Sequence, residues 1–190
     1  MHTLLMTIAL ILACTAAAWF DVRERRIPNA LTLGALGVAI IIRATMGIEV
    51  VGAGLLGALV GFGVALPFFL VGGLGGGDLK LIAAIGAFLG PGRLFFALLI
   101  TALVGGAMAV TTIIRRKAGL ETAANLHTLI ASFRLRNFTG WRKDSGVPLT
   151  IHSPAVITLP YGVAISAGAL AAWFVYTTVP GWSFMEVLTR

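Results

Sequence analysis

Six apolar stretches, at 3–20, 30–46, 51–73, 79–90, 94–114 and 155–179, account for most of this chain, and they restrict it to a bundle of helices in a lipid bilayer. A hydrocarbon core of ~30 Å takes about 20 helical residues to cross. Lipid offers no hydrogen bonds, so each segment must satisfy its own backbone, which helices do. Composition agrees: 11% of the residues are charged, against roughly 25% in water-soluble domains. The 24 glycines fit as well, because glycine lets neighbouring membrane helices approach closely. The expected fold is all-α and polytopic. It has about six transmembrane helices in one domain over 1–190, with a basic cytoplasmic loop at about 115–154.

Residues 3–20 have the hydrophobicity of a secretory leader, but no Lys or Arg precedes them, so they read as a retained span. Segment 79–90 is short for a crossing: its 12 residues rise only ~18 Å as a helix. Charge decides its course. If it crosses, Arg23, Arg25, Arg26, Lys80, Arg115, Arg116, Lys117, Arg134, Arg136, Arg142 and Lys143 share one face, and Arg43, Arg93 and Arg190 the other. Basic loops stay in the cytoplasm, so the first face is cytoplasmic and both termini lie outside. The net charge of +7 then reflects those loops, and no nucleic-acid partner is expected. Arg43, near the far end of its span, reads as snorkelling to the interface. Within the loop, Leu126, Leu129, Ile130 and Phe133 give 119–136 an apolar face. With Arg134, Arg136 and Trp141 beside it, this reads as a surface helix that anchors a connector to lipid.

Polar chemistry is scarce. Cys14 is the one cysteine, which excludes an internal disulfide and a multi-cysteine zinc site, and His2, His127 and His152 have no paired-ligand spacing. No metal or cofactor is expected. Of the seven acidic residues, Glu49, Glu121, Asp144 and Glu186 read as solvated surface charges, and Glu24 as a balance to its neighbouring arginines. Asp21 and Asp78 remain, each at the end of an apolar span and both on the cytoplasmic face. The bland reading of Asp21 is a helix-end charge paired with Arg25 or Arg26. For Asp78 it is an N-cap, which leaves the glycines at 72, 73, 75, 76 and 77 unexplained. Glycine there suits irregular backbone or a close approach by another chain, such as a substrate backbone near Asp78. Two carboxylates brought together tend to hold one proton between them. The ionised member can then activate water while the protonated one polarises a carbonyl.

At these residues the chain resembles the type IV prepilin peptidases, membrane aspartic proteases with a Gly-x-Gly-Asp motif. Gly75-Gly76-Gly77-Asp78 matches the motif and Leu79-Lys80-Leu81 its usual continuation; Asp21, Arg23, Ile27, Pro28 and Asn29 look like the family's first catalytic block. Leu159-Pro160-Tyr161-Gly162 looks like a third, with Val163 where the family often has proline. The resemblance implies that Asp21 and Asp78 are the catalytic pair, that Gly75 and Gly77 shape the loop, and that Lys80 is an interfacial anchor or a substrate contact, with the anchor the favoured reading. It implies an aspartic endopeptidase in the inner membrane. The substrates would be pilin-like precursors, losing a short basic leader at the cytoplasmic face, and pilus assembly machinery would be a further partner. Long members carry paired Cys-x-x-Cys motifs and N-methylate the product. This chain is similar to the short, tight-adherence (Flp) forms, so methyltransferase activity is not expected. An archaeal-type preflagellin peptidase shares the chemistry. An ion-coupled transporter using Asp21 and Asp78 as ion ligands is the alternative from another class, and the inverted repeats that would favour it are not found. A non-catalytic scaffold would leave the glycine-flanked aspartate without a purpose.

Overall fold

The computed structural model describes residues 1–70, 73–116 and 159–178. Among them are six helices and no strand: α1 His2–Glu24, α2 Asn29–Ala44, α3 Ile48–Leu70, α4 Gly76–Leu89, α5 Pro91–Arg116 and α6 Tyr161–Thr178. The surface helix expected over 119–136, and the start of the last span at 155–158, lie outside the described residues. Four helices, α1, α3, α5 and α6, are long and apolar enough to cross a bilayer; α2 is apolar and shorter.

Side-chain contacts give the directions. Thr7 and Cys14 on α1 bond to Trp173 and Ser166 on α6, so these helices run antiparallel. Gly54, Gly57 and Gly61 of α3 meet Ala87, Gly86 and Ile82 of α4 in reverse order, and Gly105 and Gly168 of α5 and α6 face Tyr161 and Ala97 in the same manner. Lys80 lies beside Asn29 and Arg43 beside Ala87, so α4 runs parallel to α2. Successive helices therefore alternate in direction. One end of the bundle gathers the α1–α2 turn, the starts of α4 and α6, and the end of α3.

The short segment finds its explanation here. The glycine stretch contributes its first turn, so the helix has 14 residues and begins at Gly76. Leu79, Leu81, Ile82 and the whole run from Ala84 to Leu89 are buried. Neighbouring helices cover α4, so its length need not match the lipid. It runs from Asn29 at one end of α2 to Arg43 near the other, without turning back. Lipid tails are as apolar as leucine, so helix association in a bilayer rests on close packing and polar contacts. The glycines supply the first. A methyl group at Gly57 would fall on the carbonyl of Gly86, and one at Gly168 on Ala97 and Thr101. Outward, Leu4, Ile8, Leu12, Leu55, Leu59, Leu99 and Leu103 are exposed and suit a lipid surround.

Arg43 departs from the sequence reading. It does not snorkel; only 8% of it is exposed. Its Nε, Nη1 and Nη2 donate to the carbonyls of Ala87 (2.7 Å), Val50 (2.9 Å) and Phe88 (3.0 Å). Two of these are last-turn carbonyls of α4 that have no partner inside the helix. Binding them is worth more to this side chain than a reach for the interface.

Candidate functional site

Asp21 lies in the last turn of α1, not beyond it, and is 7% exposed. The helix ends at Arg25, a non-glycine residue in the left-handed region (φ 53°, ψ 28°), whose N–H donates to the Asp21 carbonyl at 3.1 Å. The chain leaves the helix at this point, enters Arg26-Ile27-Pro28, and restarts as α2 with Pro28 as the N-cap. The Asp21 carboxylate faces the opposite way, towards α6. Its Oδ2 accepts the N–H of Gly162 at 2.6 Å. Gly162 is the second residue of α6, where backbone N–H groups lack helical acceptors and the helix dipole favours an anion. A Cβ on Gly162 would stand 2.9 Å from that same Oδ2 and 3.0 Å from Ile27. Glycine is what lets the carboxylate come this close. The Arg25 side chain acts on Asp21 through its charge, in partial agreement with the bland reading, but the direct partner is a backbone N–H.

Asp78 is not an N-cap. Gly75 holds that position in extended backbone (φ −74°, ψ 151°), and Asp78 is the third residue of α4. Its Oδ2 reaches back to the Gly75 N–H at 3.3 Å, the return half of a capping box. A Cβ on Gly75 would lie 2.9 Å from that oxygen. Gly77 has another reason to be glycine: Ile27 packs on it, with its Cβ 3.0 Å and its carbonyl 3.2 Å from where a Gly77 Cβ would sit. The close approach at Gly77 is made by this chain's own α1–α2 turn, not by space left for another backbone.

Ile27 links the two halves. It is buried, its Cβ lies on Gly77 and its Cδ1 on Gly162. Asp21 and Asp78 are thus held at the first turns of α6 and α4, around one isoleucine, and the negative charge of Asp21 acts on Asp78. Lys80 turns sideways and donates to the Asn29 side chain at 2.7 Å. That contact joins the starts of α4 and α2, a role different from the interfacial anchor expected of it. The sequence reading missed Gly162 and Ile27 as parts of the site. Both lay inside motif blocks, yet nothing in their spacing said which carboxylate they would touch.

Sequence comparison places the chain among known proteins. Residues 8–110 match the type IV leader peptidase family. The chain is 33% identical over 108 residues to a prepilin leader peptidase/N-methyltransferase of Aeromonas hydrophila. That match takes in 53% of this chain and 37% of the relative, so the chain spans little more than a third of that protein. No solved structure matches. With more than half of its length inside the family match, the chain belongs to the type IV leader peptidase family.

Proposed function

We propose that this protein is a membrane aspartic endopeptidase that removes the leader from type IV prepilin-like precursors, with Asp21 and Asp78 as the catalytic pair. The observation that carries the reading is the convergence of two carboxylates at the N-termini of α4 and α6 around Ile27. Family membership supports the substrate class.

The pair holds one proton, because two neighbouring carboxylates do not both ionise cheaply. The ionised member takes a proton from water, and the water oxygen attacks the scissile carbonyl carbon. The protonated member gives its proton to the carbonyl oxygen, leaving a neutral diol. The pair then returns one proton to the amide nitrogen as the C–N bond breaks and takes one from the diol, so the starting state is restored. Gly162 and Gly75 act by position. Each N–H occupies one oxygen of its aspartate and leaves the other for this chemistry. Activity falls on the acid side, where both carboxyls are protonated and no base remains, and on the alkaline side, where no acid remains. The pH profile is therefore a bell whose limbs belong to the pair.

The site faces the cytoplasm in this reading, since Arg23, Lys80, Arg115 and Arg116 lie on or beyond its end of the bundle and basic ends stay inside. The membrane is the inner one, both termini are outside, and the activity is leader removal alone. One cysteine in 190 residues forms no Cys-x-x-Cys pair. The test is to mix the purified protein with a prepilin and follow leader loss by mass. Cleavage persists in a strong chelator, and inhibition by chelation would refute the water-and-carboxylate mechanism. A reporter fused after Lys117 reads as cytoplasmic; a periplasmic signal would reverse the topology.

A further inference from the structure

The far end of the bundle holds a cleft of about 690 Å³ bordered by all six described helices and lined by Met6, Arg43, Val50, Phe88, Arg93 and Trp173 among others. Its charge is one-sided. Arg43 is buried on three carbonyls. A guanidinium has five N–H groups, so each terminal nitrogen of Arg43 keeps one beyond those bonds. Arg93 stands over the Tyr176 ring at 5.2 Å, and its charge acts on Arg43. Among the described residues, Glu49 is the acid at this end; it is exposed on the first turn of α3 and is not part of the lining. The first turn of α5, Pro91-Gly92-Arg93, also borders the cleft. The N–H groups of Gly92 and Arg93 have no acceptor within the helix, and Pro91 has no N–H; the two free donors add a positive helix end to the two guanidiniums.

Two cations and a helix N-terminus without a carboxylate call for an anion. The position says which kind. The cleft lies at the end of the spanning helices, where Tyr176 has the placing of an interfacial aromatic, and apart from Thr3, Thr177 and the two arginines the rest of its wall is mostly apolar. Its volume lies in the range of about 300–1,000 Å³ that small organic ligands occupy, more than an inorganic ion fills. We propose that this cleft binds the headgroup of an anionic phospholipid, with the phosphate between Arg43 and Arg93 and the glycerol region against Met6, Val50 and Phe88. The bound phosphate supplies the counter-charge that Arg43 lacks. The assignment does not depend on leader processing at the opposite end.

Native mass spectrometry of the protein in a neutral detergent tests it, with phosphatidylglycerol, phosphatidylcholine and sodium phosphate as probes. One phosphatidylglycerol should be retained in preference to phosphatidylcholine. Arg93→Gln, at an exposed position, should weaken that binding about tenfold, the value of one charge-assisted hydrogen bond, whereas Arg115→Gln at the other end should not. Millimolar sodium phosphate should not displace the lipid. Equal retention of the two lipids, an unchanged Arg93→Gln, or displacement by phosphate would each overturn the proposal. So would phosphatidylglycerol binding that appears only with Glu186→Gln, since the anion in the cleft would then be this chain's own.

Discussion

The two ends of the bundle each place ions at helix termini, and they do so to opposite effect. At one end Asp78 and Asp21 sit at the N-termini of α4 and α6; at the other, Arg43 sits at the C-terminus of α4. Asp78 at α4, Asp21 with respect to α6 and Arg43 at the end of α4 each complement a helix dipole, although Asp21 stands in the last turn of its own α1, so dipole logic alone does not separate the proposed catalytic pair from a structural ion. Hydrogen bonding does. Arg43 makes three bonds of 2.7–3.0 Å to backbone carbonyls, and two of these, Ala87 and Phe88, have no partner inside their helix. Among the described residues, the backbone donor to Asp21 lies at 2.6 Å and that to Asp78 at 3.3 Å, and the Asp78 side chain is still partly open. Arg43 commits three of its five N–H groups to the fold and so acts there as a structural ion. In the proposed mechanism, an aspartate held through one oxygen uses the other for chemistry. Ionisable groups at membrane depth usually mark function, and Arg43 shows that the partners have to be counted first.

Substitutions at the two ends should separate these roles. Asp21→Asn and Asp78→Asn are expected to give the largest change, a loss of cleavage between about 10²- and 10⁴-fold, with no loss of thermal stability in detergent. If either variant melts early instead, its carboxylate belongs with Arg43 as a structural ion. Arg43→Gln inverts the pattern. Stranding the carbonyls of Ala87 and Phe88 should cost at least about 2 kcal/mol, read from denaturant unfolding in micelles, while turnover per folded molecule stays near wild type.

Gly162→Ala comes next. Its methyl group would press on Asp21 and Ile27, and a displaced catalytic group can lose up to about 10²-fold in rate. The loss should appear in kcat rather than KM, and a normal kcat would remove the Gly162 N–H from the site. Lys80→Met is the smallest. It deletes one exposed bond to Asn29, worth about 1 kcal/mol or less, and leaves cleavage close to normal. A large loss of cleavage in Lys80→Met would restore this lysine as a substrate contact.

Much of this protein was legible in the chain before any coordinates. Apolar runs separated by short polar links force helices, because lipid leaves the backbone no other partner. Element by element the boundaries moved by a few residues: α3 begins at Ile48 and α5 at Pro91, ahead of the apolar cores at 51 and 94. Elimination among seven acids reached Asp21 and Asp78, because unpaired charge is too costly in such a chain to be casual. What depended on tertiary structure was every contact between segments distant in sequence. Asp21 and Gly162 are 141 residues apart, and Arg43 and Ala87 are 44 apart. Hydropathy and spacing describe each helix alone and carry no information on which helix end faces which. Packing made Asp78 the third residue of its helix, filled the space beside Gly77 with Ile27, and turned Arg43 inward onto α4.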